Sequence, residues 1–505
     1  MSDSKSDSPF GLRKFIEKVD SIGELKYVSG AHWDLEMSNI SHLICSTHSK
    51  PAPALLFDEI PDYPKGYRTF YGQTNSANRA AIAYGMEPRY SDPIEFIKDY
   101  RIRSREIENL EGMEPKFISE KEAPLMENSF KGEDVDLLTL PVPMHHELDG
   151  GRFIGTADCI ITQSAVEGRV NLGTYRMQVF DQNHLGAFVV EGKHAWLDIM
   201  DHFENGEERM PIAATFGQDP TLFIFASIGL HHDTEWGEYE PTGAVMGEPF
   251  PVVKGPVTGM PLPANAEIAI EGWIYPGETE IESSWRGKGM ETKIEGPFGE
   301  WAGYYGRDPV PEPLVRVEAL YHRNDPIMAC AVPAKPPYDY SYHKSLTRSA
   351  NLWDQIEAAG VPGVTGVWRT EAGGSRLFNI VSIKNRYPGH PRQTAHIAAH
   401  CRAGGQSNRW TIVVDEDIDI TDLNQVAWAM ASRCLPARDI EISDGGWAHK
   451  SVPEVDEYVP VNSRIMVDAC IPYEQKDSFA KVAEASPELK KEIVEKWSDV
   501  LLGNE

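Results

Sequence analysis

Cysteine and basic side chains are the scarce residues of this 505-residue chain. The six cysteines (Cys45, Cys159, Cys330, Cys401, Cys434 and Cys470) include no Cys-x-x-Cys pair. That spacing argues against a zinc ribbon, and in so long a chain against a disulfide framework, so reduced thiols in a cytosol are expected. Lys and Arg number 48 against 77 Asp and Glu, a formal charge of −29. A nucleic acid or an anionic membrane needs a basic footprint, so neither is expected as a partner. Long apolar runs are missing too, and the first residues, "MSDSKSDSPFGLRKF", hold no apolar stretch of the secretory kind. A cytoplasmic protein of several domains is the expectation.

Familiar catalytic motifs are also absent. No Gly-x-Gly-x-x-Gly lies between a strand and a helix, and there is no phosphate loop, His-Glu-x-x-His or Gly-x-Ser-x-Gly. The histidine pairs His145-His146 and His231-His232 are adjacent in sequence, and solvated loop positions are expected for all four.

The hydrophobic pattern divides the chain into three parts. Residues 1–128 mix helical stretches with short apolar runs such as "PALLF", which suggests a small α/β domain. Boundary signals then cluster at Gly132, Pro141, Pro143 and Gly150-Gly151. Residues 129–325 read mostly as strand: "RVNLGTYRMQVF", "LGAFVV", "TLFIFASIGL", "AEIAIEGWIYP" and "PLVRVEALYHR". In the last, Val315, Val317, Ala319 and Tyr321 alternate with Arg316, Glu318 and His322, a half-buried strand in a barrel or layered sheet. Residues 326–505 return to α/β, with a helix in "NLWDQIEAAG" and strands in "RLFNIVSIKN" and "RWTIVV". A terminal helix starts at the N-cap Ser486, with Leu489, Ile493, Trp497, Val500 and Leu501 on one stripe that suits its own domain or a partner subunit.

Three short stretches carry candidate chemistry. "IEGPFGEWAGYY" places Glu295 and Glu300 at the ends of a turn stiffened by Pro297 and tightened by Gly296 and Gly299. Such a turn suits a positioned acid/base pair, although a solvated hairpin tip would look the same. "VNLGTYRMQVF" sets Asn171 and Arg176 in an apolar run, where Arg176 needs a carboxylate or phosphate, or a structural ion pair. "EGKHAW" and "TEWGEYEPTG" supply His194 and Glu238. With Asn171 these offer one nitrogen and two oxygen ligands, a mixture for Mn²⁺ or Mg²⁺ rather than structural zinc.

In this order, "NLGTYR", "KHAW", "EYEPTG", "PANAEIAIEG" and "EGPFGEWAGYY" resemble the UbiD family of reversible decarboxylases of aromatic and α,β-unsaturated acids. The resemblance runs from about Leu140 to Pro472. It implies an N-terminal α/β domain, a central split β-barrel that binds flavin, and a C-terminal α/β dimerisation domain. The implied cofactor is prenylated FMN, held through its phosphate by Mn²⁺ (or Mg²⁺) and K⁺. Carried over by position, Asn171, His194 and Glu238 are the metal ligands, with Glu240 a competitor for the third place. Arg176, Glu295 and Glu300 form the catalytic network. Thr174, Tyr175, Arg176, Lys193, Ser227 and Arg402 join the metal ligands around the cofactor, Arg402 standing for a basic residue on its phosphate.

Loss of CO₂ from an sp² carbon leaves a carbanion that no side chain delocalises, so an organic electron sink is needed. In the resemblance the flavin provides it through a covalent adduct with substrate. Arg176 then orients the carboxylate, Glu300 donates the replacing proton, and Glu295 holds Arg176. An aromatic acid of hydroxybenzoate or heteroaromatic type is the expected substrate, with an aryl-CoA carboxylate or a cinnamate-type acid as alternatives. Tyr and His groups in "AKPPYDYSYHKS" are candidates to read the ring. A plain FMN oxidoreductase and a non-catalytic scaffold are the rival classes. Expected partners are a flavin prenyltransferase, as cofactor supplier, and further copies of the chain in a homodimer or trimer of dimers. The segment 272–294 is longer than the family pattern leads one to expect, and suits a substrate entrance or subunit contact.

Overall fold

The structure is a computed structural model that describes residues 8–47, 52–228, 236–282, 298–306, 310–456 and 458–501. It is a mixed α/β chain of several units around a curled antiparallel half-barrel, as the sequence pattern anticipated. The first unit begins with the helix Leu12–Ser21, whose Leu12, Phe15, Ile16 and Val19 recur at helical spacing and are buried. Its sheet runs Leu25–Ser29, Ala54–Asp58, Arg68–Tyr71, and then Ile327–Ala329, a strand that arrives only after the barrel is complete.

The central sheet has nine strands. Its two long members, Ile268–Ile281 and Pro311–His322, pair antiparallel with bulges after Glu271 and Ile274. Each bulge bends the strand and helps curl the sheet. Beside them stand Met210–Thr215, Cys159–Gln163 and Val170–Gly173 on one flank, and His184–Ala187, Met177–Val179 and Arg152–Gly155 on the other. Val315, Val317, Ala319 and Tyr321 point into the core and Arg316 and Glu318 outward, as their alternation indicated, whereas His322 is buried.

The C-terminal sheet has the order Val364–Arg369, Phe378–Ile383, Trp410–Asp415, Val461–Asp468, Ile440–Trp447. Leu12, Phe70 and Phe96 share one continuous core with Trp353, Ile380 and Val413, so the two α/β units pack as one body. A separate core of Ile160, Val179, Ile212, Ile270 and Val317 fills the barrel.

Three sequence expectations are corrected. The run "TLFIFASIGL" is not a strand: Pro220–Ile228 is a helix, begun by Pro220 and by the Asp219 carboxylate accepting from Thr221 N at 2.8 Å. A continuous apolar run has no period to separate a buried strand from a buried helix. The helix expected in "NLWDQIEAAG" starts ten residues earlier and spans Ser341–Ala358. His145 is fully buried, its Nδ1 2.9 Å from Ser38 Oγ, and His146 lies 2.7 Å from the Pro333 carbonyl, so neither is a solvated loop residue. His231 and His232 lie outside the described residues.

The terminal helix Pro487–Lys496 forms with Ser486 as its N-cap, but Leu489, Ile493, Trp497, Val500 and Leu501 stay exposed. The six cysteines form no disulfide. Among the described residues no helix is long and apolar enough to cross a membrane.

Candidate active site

A cavity of about 810 Å³ lies between the barrel and the helix Ser341–Ala358. Asn171, Tyr175, Lys193, His194, Ser227, Glu238 and Arg402, scattered over more than two hundred residues of chain, all line it. Local structure explains the convergence. Asn171 sits on the strand Val170–Gly173, and its amide nitrogen donates to Thr162 Oγ1 at 3.0 Å, which turns the amide oxygen the other way. Glu238 is buried, and its carboxylate accepts from Leu172 N at 2.8 Å, which ties it one residue from Asn171. Gly237 makes that approach possible, since its φ is +61° and a Cβ there would meet the Val170 carbonyl oxygen at 2.4 Å.

His194 opens the helix His194–Glu204, with Lys193 as its N-cap, and both residues line the cavity. Helix N-termini favour anions. The Tyr175 hydroxyl accepts from Ala195 N at 3.3 Å and fixes that end against the barrel. Glu240 is not among the lining residues, so Glu238 is the better placed of the two candidates. Thr174 and Arg176 do not line this cavity.

Of the opposite wall, the sequence pointed only to His343, in "AKPPYDYSYHKS". His343, Lys344, Thr347, Arg348, Asn351 and Gln355 form a polar stripe along the helix Ser341–Ala358, and Arg369 and Arg376 come from the C-terminal sheet. Lys344 Nζ donates to Ser227 Oγ at 3.3 Å, Arg348 to Ser375 Oγ at 2.8 Å, and Arg369 to the carbonyls of Ala403 and Arg376. Among the described residues none of these four cations has a carboxylate ion-pair partner. Burial, then Arg348 and Arg376, push the Lys344 ammonium down to about 7. Burial and Arg376 lower Arg348 as well. A guanidinium stays protonated, so the strain is carried as repulsion until an anion arrives.

A second centre adjoins this wall. Arg176 is half-buried, with Nε 2.5 Å and Nη2 2.7 Å from the two oxygens of Glu282, and Nη1 3.2 Å from Glu300. Its guanidinium lies over the rings of Phe188 at 3.9 Å and Phe298 at 4.7 Å. Burial alone would lower Arg176, but Glu282, Glu300 and Glu312 outweigh it and raise it. Burial raises the Glu300 carboxyl, with Glu282 adding to the rise and Arg176 opposing it. Burial and Glu282 push Glu312 up to about 8.

The turn bearing Glu300 is closed by Glu300 N to Tyr304 O at 2.8 Å and Gly306 N to Phe298 O at 2.7 Å. Asp149 braces it by accepting from Gly299 N at 3.2 Å. Arg376 joins the two centres, stacked 4.4 Å over Trp301, the neighbour of Glu300. Glu295 lies outside the described residues. Among the described residues Arg176 is held by two bonds to Glu282, which follows the strand Ile268–Ile281.

Glu282, Lys344, Arg348 and Arg376 are thus the residues that sequence reasoning passed over. Only Lys344 and Arg348 left a signal, being cations one helical turn apart with no acid at matching spacing.

A family model described as the 3-octaprenyl-4-hydroxybenzoate carboxy-lyase Rift-related domain matches residues 116–336, and that family's C-terminal domain matches residues 341–469. A phenolic acid decarboxylase of Streptomyces sp. (strain D7) is 30% identical, over 94% of this chain and 96% of its own. The pyrrole-2-carboxylic acid decarboxylase of Pseudomonas aeruginosa is 27% identical over 98% and 99%. Among solved structures, the UbiD-class enzyme HmfF from Pelotomaculum thermopropionicum in complex with FMN superimposes with a TM-score of 0.78 at 26% identity, covering 95% of this chain and 98% of that one. An evolved dimeric form of the same enzyme, in complex with prFMN, gives 0.75 at 25%, with the same coverage.

Proposed function

The chain belongs to the UbiD family, and we propose that it is a carboxy-lyase that uses prenylated FMN to decarboxylate an aromatic acid, reversibly and without net oxidation. The observation that carries this reading is the cavity itself. Asn171, His194 and Glu238 line it, cations with no acid ion-pair partner among the described residues line its facing wall, and a half-buried Arg–Glu centre lies beside it. A phosphate-bearing cofactor fits, because buried cations need an anion to compensate them. Lys193, Ser227, Lys344 and Arg402 would hold the phosphate, and Asn171, His194 and Glu238 would hold Mn²⁺ or Mg²⁺, with K⁺ as a further ion.

When bound, the flavin supplies the electron sink that a departing CO₂ requires. The protein's own part is to place and move a proton. Glu282 holds Arg176 by two bonds, so the guanidinium keeps one orientation toward Glu300 and toward a substrate carboxylate. Phe188 and Phe298 cover the guanidinium, and Phe153 packs behind Phe298, which limits the access of water. Glu300, raised by burial and by Glu282, keeps a protonated share nearer neutrality than a free carboxyl does. Once the C–C bond has broken, Glu300 delivers its proton to the ring carbon that lost CO₂, and in the reverse direction it takes that proton back.

The test is co-expression with a flavin prenyltransferase, mass spectrometry and absorbance of the bound flavin, and CO₂ release across a panel of aromatic acids. Prenylated FMN, with release from one class of acid that Glu300→Gln abolishes, is expected. Plain FMN, or no flavin, with no release from any acid would overturn the reading. We also propose that the apolar stripe of Leu489, Ile493 and Trp497 is covered by a second copy in a homodimer or a trimer of dimers. A monomer by light scattering at micromolar concentration would sink that assembly.

A further inference from the structure

The cations of the cavity fall into two groups by what they touch, and this inference rests on the decarboxylase reading of the same chamber. Lys344 bonds Ser227, on the side of Asn171, His194 and Glu238, and belongs to the phosphate end. Arg376 stacks on Trp301, next to Glu300, and belongs to the acid end. Arg348 is drawn to that same end by its bond to Ser375, the residue before Arg376. The Trp301 ring is closed on another side by His449, edge-on at 5.9 Å, and Tyr338 and Tyr340, whose rings pack together at 4.6 Å, both act on the two guanidiniums. Arg176 faces the reacting carboxylate and already gives its Nε, Nη1 and Nη2 to Glu282 and Glu300, so it is not spare for a second anion.

A phosphate at the far end and one reacting carboxylate leave Arg348 and Arg376 with no carboxylate ion-pair partner among the described residues, Glu300 acting on Arg376 without a salt bridge. We infer that these two guanidiniums form a second anion site of the substrate chamber, and that the substrate is an aromatic acid with two carboxylates. One leaves as CO₂ at Glu300, and the other is held by Arg348 and Arg376. A phenol would not serve, because it is neutral near pH 7 and offers one oxygen, whereas a carboxylate matches the guanidinium fork with two.

The experiment is calorimetric titration of the flavin-loaded protein with benzene-1,3-dicarboxylate, 3-hydroxybenzoate and benzoate, alongside CO₂ release from each. The diacid is expected to bind at least about tenfold more tightly than benzoate, in line with a charge-assisted bidentate contact. Arg376→Gln and Arg348→Gln should each bring that ratio toward one while flavin absorbance is retained, and Arg376→Lys should keep part of it. Equal binding of diacid and benzoate would overturn the site. So would loss of flavin from the Gln variants with the ratio intact, which would make them part of the phosphate cradle. A clear preference for the phenol would overturn it as well. Diacid preference without CO₂ from any acid keeps the anion site and removes the decarboxylase reading. CO₂ from monoacids with no diacid preference does the reverse.

Discussion

Arg176 and Arg376 are both half-buried, and both feel Glu300, yet their surroundings are opposite. Arg176 is enclosed by Glu282, Glu300 and Glu312, and three carboxyls more than neutralise it. Arg376 has Arg348, Arg369 and Lys344 for neighbours and aromatic rings in place of acids. The first arginine is compensated by the protein and so serves as a fixed element that tunes Glu300. The second has no carboxylate ion-pair partner among the described residues, so most of its compensation is left to what enters the cavity. One residue type in one chamber thus does two jobs, and the presence of acid partners separates them.

The largest effect should come from the group the two arginines share. Glu300→Gln removes the proton donor, and CO₂ release should fall by at least about a thousandfold, within the range of general acid catalysis. Flavin absorbance should change less than twofold, because Glu300 is not a lining residue of the cofactor cavity. A rate drop that merely tracks flavin loss would move Glu300 out of the reaction. Next in size is Glu238→Ala, which asks whether unpaired cations alone can hold the cofactor. Bound divalent metal, measured by mass spectrometry, and bound flavin should both drop by about tenfold or more, since buried hard-ion sites depend on their carboxylate. Full flavin occupancy in that variant would hand the whole task to the cation wall.

Glu282→Gln sharpens the comparison from the other side. Glu282 raises the Glu300 carboxyl, so losing its charge lowers Glu300, and an Arg176 with one partner fewer pulls it lower still. The protonated share of Glu300 then shrinks at a given pH, and the alkaline limb of the rate profile should move to lower pH. A decrease of about tenfold in kcat is expected at neutral pH, with a smaller change in KM. An unmoved profile would return the hold on Arg176 to Glu295.

Much of this was legible in the chain, for identifiable reasons. Strands such as Pro311–His322 announced themselves by period, and Asn171, His194 and Glu238 by motif, because each signal sits within a few adjacent residues. The helix Pro220–Ile228 did not, since a run buried on all sides has no period. The two fates of arginine were not legible either. Arg176 and Glu282 are separated by 106 positions, and Arg376 is set apart by having no acid in salt-bridge contact among the described residues. Pairing across a fold is a property of the tertiary structure, and an absent partner leaves no mark in sequence. The first half of the helix Ser341–Ala358 was hidden for a related reason: its polar stripe faces a cavity and not solvent, so it reads like a loop.

The smallest effect is on stability, and it reports the cation wall directly. Lys344 titrates at about 7 in the fold against an ordinary 10.5, so the unfolded chain binds more protons between those values. By linkage its neutral form favours the fold above pH 10.5, and that contribution is lost as pH falls to about 7. Lys344→Met removes the ammonium and keeps the stem, so the flavin-free variant should melt higher than the parent at pH 7, by about 2 °C for a gain near 1 kcal/mol. The gain should shrink as pH approaches 10, where the parent's lysine is neutral in the fold. Inorganic phosphate should stabilise the parent more than the variant, because a ligand that binds only the folded state raises its stability in proportion to occupancy. Melting curves at pH 7 and 10, with and without phosphate, give all four quantities. A lower melting point for the variant at pH 7 would mean that Lys344 packs as structure, and that the wall is not under the repulsion that sets Arg376 apart from Arg176.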